Sequence, residues 1–551
     1  MKKNWLVLLI GMFIVSFMLM VTSAKTDSQT TDEAIHLVSG YTYLTQRDFR
    51  LDSEHPPFLK ELAALPLIFQ KVKLKIDERW QKAGVFYYDS WQEARLIGEN
   101  FFYGSGNDPE KLLFWGRLPF IFLTLILGYF SYFWAKKLYG QKAGVFAGFL
   151  TLFFPNFLAH GRLINTDLGV ALFIYLTVFS WGNFLKRPRL IYIVLTGLTL
   201  GLTLASKFTG LIIIPILLVI MLVKVIFYKE KEKYFKKYFL GIAGILVISF
   251  LVIWATYGFT MATPGPFPTN LSSFVLWNDF QLSPTLISFL DKIRFLFSPA
   301  EFYKGIFMVF RHAAIGHSAY LLGQSSTGGW WYYFPVAIFY KTPIPVFFFL
   351  AMAIFFWGKL RVKEPFEEIL LIIPPAFFLF ISLFSKADLG IRHILPIFPF
   401  IFVFASKSIN LINLQKAKFA SIVFVMLIGW YFFSAISSFP NFLSYFNEFV
   451  NGPKGGYRIL ADSNLDWGQD IYRLKKYLEE NRINRPYLFY PWNGEDALRY
   501  YQIDFQPLAP FQSDIRGQVI ISDTYLQTEG FLWLKKYPFY QITPGLFLFE
   551  L

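Results

Sequence analysis

Two short clusters near the N-terminus hold residues able to move a proton or hold an anion. The first is Asp32-Glu33, with His36 one helical turn after Asp32; the second is Glu54-His55-Pro56-Pro57, followed by Lys60. A carboxylate placed here can take the proton of a hydroxyl nucleophile. A His or Lys at lipid headgroup height can pair with a phosphate. The same residues have simpler uses. Thr30-x-x-Glu33 fits a capping box, and acids in a first turn suit the helix dipole. Pro56-Pro57 ends a loop and lets a helix open at Phe58.

Further along, Asp167 closes H-G-R-L-I-N-T-D, where it is either an N-terminal acid behind the cap Thr166 or a second carboxylate facing Asp32. Arg162, in the same run, is a partner or phosphate ligand. Lys207 interrupts the apolar stretch GLTLGLTLASKFTGL, and Lys341 in FYKTPIP and Arg392-His393 in GIRHILP pose the same question. Each cation either snorkels from the membrane edge or binds a phosphate. Trp330-Trp331-Tyr332-Tyr333 belongs to an interfacial belt or stacks on a sugar. There is no HExxH and no DxD triplet, so a divalent metal is not indicated and no cofactor is expected. Walker, GxGxxG and GxSxG patterns are absent, and with no cysteine there is no thiolate chemistry.

The elements that must position these groups are membrane helices. Of 551 residues, 55% are hydrophobic, 21% aromatic and only 16% charged, against about 25% charged in a soluble protein. Mean hydropathy is +0.43. Apolar runs near or above roughly 18 residues predict a polytopic α-helical membrane protein with about eleven spans. They cover about 5–21, 112–134, 143–158, 168–185, 191–205, 209–228, 238–257, 333–357, 368–384, 394–405 and 419–436. The first, behind Lys2-Lys3 and ending Thr22-Ser23-Ala24, has the look of a signal peptide but is nearly long enough to span, and an uncleaved helix is expected. The net charge of +15 sits in short loops: Lys136/137/142, Lys186–Arg189, Lys229–Lys237, Lys359–Lys363 and Lys407–Lys418. Placing them in the cytoplasm puts the outer loops 25–111 and 258–332, the His160–Asp167 turn and the C-terminus outside. That pattern accounts for the charge without a nucleic-acid partner. Residues 1–439 are expected to form the membrane part. From about Gly455, turn residues, an amphipathic helix and the strands PYLFYPW and GQVIISDTYL predict a soluble extracytoplasmic α/β domain over 440–551.

The series of motifs resembles the polyprenyl-phosphate-dependent membrane glycosyltransferases of the GT-C type, the superfamily of protein O-mannosyltransferases and aminoarabinose transferases. It comprises D-E after the first helix, E-H-P-P, R-L-P at Arg117, N-T-D at Asp167, the stretch to Lys207, GHSAYLLGQSSTGGWWYYFPVAIFYKTP, GIRHILPIFPF and LADSNLDWGQD, in order along almost the whole chain. The resemblance implies a GT-C fold and transfer of a hexose or pentose from a polyprenyl-phosphate donor to a hydroxyl of a protein, lipid or glycan. It implies inversion at the anomeric carbon, with an acid at Asp32 as base and Glu33 and Asp167 as the other acidic candidates. His55, Lys60, Arg162, Lys207, Lys341, Arg392 and His393 are the candidates for the lipid phosphate. The contrasting reading, a transporter or lipid flippase, calls for ionisable residues at mid-membrane and repeated halves; here the acids cluster in outer loops and no halves repeat.

Overall fold

The computed structural model describes residues 2–76, 78–82, 87–227, 232–260, 285, 299–360, 362, 364–412, 418–491 and 494–551. Most of the expected outer loop 258–332 before residue 299, and residues 229–231 of the expected cytoplasmic turn Lys229–Lys237, lie outside the described residues.

Eight described helices are long and apolar enough to cross a membrane, or nine if one bent pair counts as a span, and they make the chain a multi-pass membrane protein. The expected count of about eleven is reduced for three local reasons. The run 143–158 is two helices, Gln141–Leu152 and Pro155–His160, because Pro155 cannot continue the first and opens the second at its N-terminal turn. Leu190–Ser206 stops at 17 residues. The run 333–357 bends by 105° between Tyr333–Lys341 and Ile344–Phe355, with Pro343 at the break.

The first helix, α1 (Lys2–Ala24), turns Leu6, Val7, Ile10 and Ile14 outward. Its other side is tied in: Ser16 donates to the Leu152 carbonyl at 2.9 Å and Ser23 to that of Pro440 at 2.6 Å. The helix α2 (Thr31–Gln46) lies against α3 (Phe58–Ala64). Their approach is so close at Gly40 that a Cβ there would stand 1.9 Å from the Lys60 carbonyl oxygen. Small residues do the same in the membrane: a Cβ on Gly197 or Gly201 of Leu190–Ser206 would meet Ile248 or Val252 of the helix Glu232–Thr256 at 2.7 and 2.6 Å. In lipid no hydrophobic effect drives helices together, so such close approach supplies the packing energy.

The basic helix ends meet at one end of the bundle. Lys186 pairs with Glu367, Lys407 with Glu368 at 2.8 Å, and Lys137 donates to Asn183 at 3.0 Å. At the other end lie the start of α2, the start of the helix Asp167–Lys186, the end of Leu190–Ser206 and the turn at 385–392. A hairpin, β1 (Ala319–Leu321) and β2 (Gln324–Ser326), joins this end, with Leu321 bridging to Leu460.

After the last span, Phe442, Leu443, Phe446, Ile459, Leu460, Leu465 and Trp467 pack into the core of the helical bundle. Only from Ile471 do separate cores form. There a five-stranded sheet runs in the order β4 (Gln506–Pro507), β3 (Tyr487–Phe489), β5 (Gln518–Ser522), β7 (Leu546–Glu550), β6 (Phe539–Thr543). β3 is parallel to β4 and β5; β7 is antiparallel to β5 and β6. Ile520 and Leu548 face the amphipathic helix Ile471–Glu480, while Val519, Ile521, Phe547 and Phe549 face the segment Glu529–Lys536. Burial of both faces explains why these strands read as continuous apolar runs.

Candidate active site

Asp32 and Glu33 start α2 side by side and meet different surroundings. Glu33 is fully buried. Its Oε1 accepts from Arg117 Nε at 2.7 Å and the Ile164 amide at 2.9 Å; its Oε2 accepts from Arg117 Nη2 at 2.6 Å and the Thr30 amide at 2.8 Å. Arg117 also donates to the carbonyls of Ala24, Asp27 and Ser28. The expected Glu33 half of the capping box is there, inside a buried bidentate ion pair that fixes the chain entering α2. Glu33 has no oxygen left for a substrate.

Asp32 keeps a side chain 22% exposed and accepts from Arg392 Nη1 at 3.0 Å. The same nitrogen lies 3.8 Å from Asp167 Oδ2, and Asp167 Oδ1 accepts from Lys207 Nζ at 2.5 Å. Two acids and two cations thus alternate across the end of the bundle away from the lysine-rich turns, each from a different element terminus. Asp167 opens its helix with its amide held by Asn165 Oδ1 at 3.0 Å. Lys207 follows Leu190–Ser206 in extended conformation, and Arg392 lies in the short 3-10 turn Ile391–Ile397. His393 sits within the electrostatic reach of Lys207, Arg392, Asp167 and His55. Arg392 Nε and Asp167 Oδ2 are buried and make no hydrogen bond within the protein, so this cluster has donor and acceptor capacity facing inward. Burial also pushes the neighbouring His160 down to about 3, which keeps that ring neutral.

The E-H-P-P cluster is built around Asp52. Lys60 Nζ donates to its Oδ2 at 3.2 Å, to the carbonyls of Asp52 and His55 at 2.7 Å each, and to Tyr43 Oη at 2.8 Å. His36 Nδ1 is 2.9 Å from Asp52 Oδ2 and His55 Nδ1 3.4 Å from Oδ1. Burial opposes ionisation of Asp52, but Lys60, His55 and His36 together hold its carboxyl well below the usual range. His36, Asp52 and His55 place their ligand atoms within 4.8 Å of one another, the one such grouping among the described residues. A divalent ion there would have to displace the Lys60 ammonium, which already neutralises Asp52. Glu54 pairs with His312 and raises that imidazole above its ordinary value.

Two further expected phosphate ligands make contacts within the protein. Arg162 is buried in an ion pair with Asp27, which also takes Arg473. Lys341 donates to the carbonyls of Leu443 and Asn464 at 2.8 and 2.7 Å and lies over the Phe446 ring at 4.6 Å. Of the residues singled out in the sequence, the structure gathers Asp32, Asp167, Lys207 and Arg392, with His393 and His55 beside them. Glu33, Lys60 and Lys341 have their polar atoms engaged by the protein, whereas Arg162 bonds Asp27 through Nη1 and leaves Nε and Nη2 buried without a hydrogen-bond partner.

The sequence gives no sign of Asp27 or Asp52 as partners. It does mark Trp467, the lone aromatic within D-S-N-L-D-W-G-Q-D, without showing where that motif folds to. The indole lies under Arg392, with the guanidinium carbon 4.0 Å from its ring centroid.

A family model described as dolichyl-phosphate-mannose-protein mannosyltransferase matches residues 111–254. No curated protein matches the sequence. Among solved structures, ArnT from Cupriavidus metallidurans bound to undecaprenyl phosphate is similar with TM-score 0.50 and 12% identity, covering 100% of this chain and 98% of that one. The oligosaccharyltransferase AglB from Archaeoglobus fulgidus, in complex with an inhibitory peptide and a dolichol-phosphate, is similar with TM-score 0.47 and 13% identity over 98% of this chain and 73% of that one. At such identity the ArnT likeness speaks for the fold, and it does so along the whole chain. The GT-C resemblance carried by the motifs is thus matched by the fold and, over 111–254, by the family model.

Proposed function

We propose that this protein transfers a sugar from a polyprenyl-phosphate donor to a hydroxyl acceptor at the outer face of the membrane. The observation that supports the reading best is the alternation Asp32, Arg392, Asp167, Lys207 at the end of the bundle away from the lysine-rich turns. The positive-inside rule puts those turns in the cytoplasm. In this reading the donor phosphate competes with Asp32 for Arg392. As the phosphate takes the guanidinium, Asp32 is left to accept the proton of the acceptor hydroxyl. The hydroxyl oxygen bonds to the anomeric carbon, the bond from that carbon to the phosphate oxygen breaks, and the configuration inverts. Polyprenyl phosphate leaves with its charge on Arg392 and Lys207; fixed cations are most effective where charge develops. Asp167 holds Lys207 and Arg392 apart and oriented. The motif resemblance and the ArnT-like fold support a lipid-linked donor.

The test uses the purified chain in lipid nanodiscs with radiolabelled polyprenyl-phosphate sugars and a membrane extract as acceptor. The expected result is release of polyprenyl phosphate together with label in a new product. A chain that binds these donors yet releases nothing with any of them contradicts the reading.

A further inference from the structure

The loop 462–470, D-S-N-L-D-W-G-Q-D, is bonded to the residues just before both groups to which the proposed chemistry is assigned, by two separate arms.

The first arm reaches the residues just before Arg392. Asn464 Oδ1 accepts the Ile391 amide at 3.1 Å, and Ser463 Oγ donates to the Leu389 carbonyl. Gly390 between them has φ +120°, and a Cβ on it would stand 3.1 Å from the Asn464 amide group, so only glycine lets the loop close this tightly. The second arm reaches the residues just before Asp32. The Trp467 carbonyl accepts the Thr31 amide at 3.0 Å, the Gln469 carbonyl accepts the Ser28 amide at 3.0 Å, and Ser28 Oγ donates to the Gly468 carbonyl at 2.9 Å. Trp467 itself is held by its amide on Gln469 Oε1 at 2.7 Å and is 2% exposed.

We propose that Trp467 is a positioning residue of the active site, its indole face fixing the plane of the Arg392 guanidinium and its backbone fixing the start of α2 that carries Asp32. A guanidinium lying on a ring at 4.0 Å keeps its N–H edge free for other partners. Nη1 is on Asp32, and Nε has no hydrogen-bond partner in the protein. That is the arrangement needed for an edge-on, two-point grip on a phosphate. Without the ring, the guanidinium is free to rotate onto the Asp32 and Asp167 carboxylates and present no edge. The inference rests on the proposed lipid-phosphate donor and adds to it a contribution from the segment beyond the last span.

The test measures equilibrium binding of polyprenyl phosphate and the kcat and KM for the donor, in nanodiscs, for wild type, Trp467→Leu, Trp467→Tyr, Arg392→Ala and the double variant Arg392→Ala/Trp467→Leu. Trp467→Leu is expected to weaken polyprenyl phosphate binding about 10-fold, within the range of cation–π contacts between exposed and desolvated. Trp467→Tyr, which keeps a ring face, is expected to stay within about threefold of wild type. In the Arg392→Ala background Trp467→Leu should add no further loss. Equal binding by wild type and Trp467→Leu, or a full additive loss in the double variant, overturns the inference while leaving the transferase reading in place. If Trp467→Leu does not fold, the Trp467→Tyr and Arg392→Ala arms carry the same cycle: loss in Trp467→Tyr as large as in Arg392→Ala overturns it. A wild type that binds no polyprenyl phosphate overturns the reading of the function and this inference with it.

Discussion

A glutamate whose two oxygens accept from Arg117, Thr30 and Ile164 cannot also serve an acceptor hydroxyl. Glu33→Gln should therefore act on stability: removing one charge of a buried pair costs about 3–5 kcal/mol, visible as a large fall in the thermal unfolding temperature. Asp32→Asn, at a partly exposed side chain with one ionic partner at 3.0 Å, should leave that temperature nearly unchanged. A mild Glu33→Gln with full loss of turnover would reverse the two roles. The sequence shows an acidic pair and nothing to divide it, because the division is made by Arg117, far along the chain. Lys60 and Lys341 illustrate the same limit. A lysine or arginine at a membrane edge reads as a phosphate ligand until the carbonyls and carboxylates that occupy it are seen.

At the scale of elements, the contact between α2 and α3 controls where the E-H-P-P turn sits. Gly40→Ala would push a methyl to 1.9 Å from the Lys60 carbonyl, so the two helices must part. The expected cost is about 1–3 kcal/mol, read as lowered thermal stability; an unchanged unfolding temperature would show that the contact is not tight. The Glu54–His312 pair links that turn to the helix Ala300–Ile315. Glu54 raises His312 above 6.5, so the tie is complete below about pH 6.5 and is lost as pH rises through the raised value. Hydrogen exchange of the helix should accelerate over that rise, and His312→Gln should remove the pH dependence. A wild-type exchange rate that ignores this ionisation would contradict the linkage. Long apolar runs were legible as spans. The three that fail, at Pro155, at Ser206 and at Pro343, fail on local breaks that a hydropathy window averages away. The strands GQVIIS and PYLFY were legible from β-branched and aromatic residues, whereas Phe539–Thr543 and Leu546–Glu550 lie in aromatic-rich sequence with little to distinguish them from a loop.

For the whole molecule, one end carries the lysine-rich turns and the other carries the clustered acids and cations together with the sheet. The chain contains no cysteine, so single cysteines report topology cleanly. Lys476→Cys, on the exposed face of Ile471–Glu480, should react with an impermeant maleimide in intact cells; Lys142→Cys should react only after permeabilisation. The reverse pattern would place the site on the cytoplasmic face. The charge distribution predicts the orientation that these two labels test. The way the segment after the last span folds back was not readable, since Asn464 and Trp467 meet Ile391 and Thr31 only through packing. The central claim is tested most directly by comparing wild type with Asp32→Asn in nanodiscs, with radiolabelled donor and acceptor extract. The account predicts that the variant still binds donor and loses transfer by at least about 100-fold. Transfer at the wild-type rate by Asp32→Asn would contradict it.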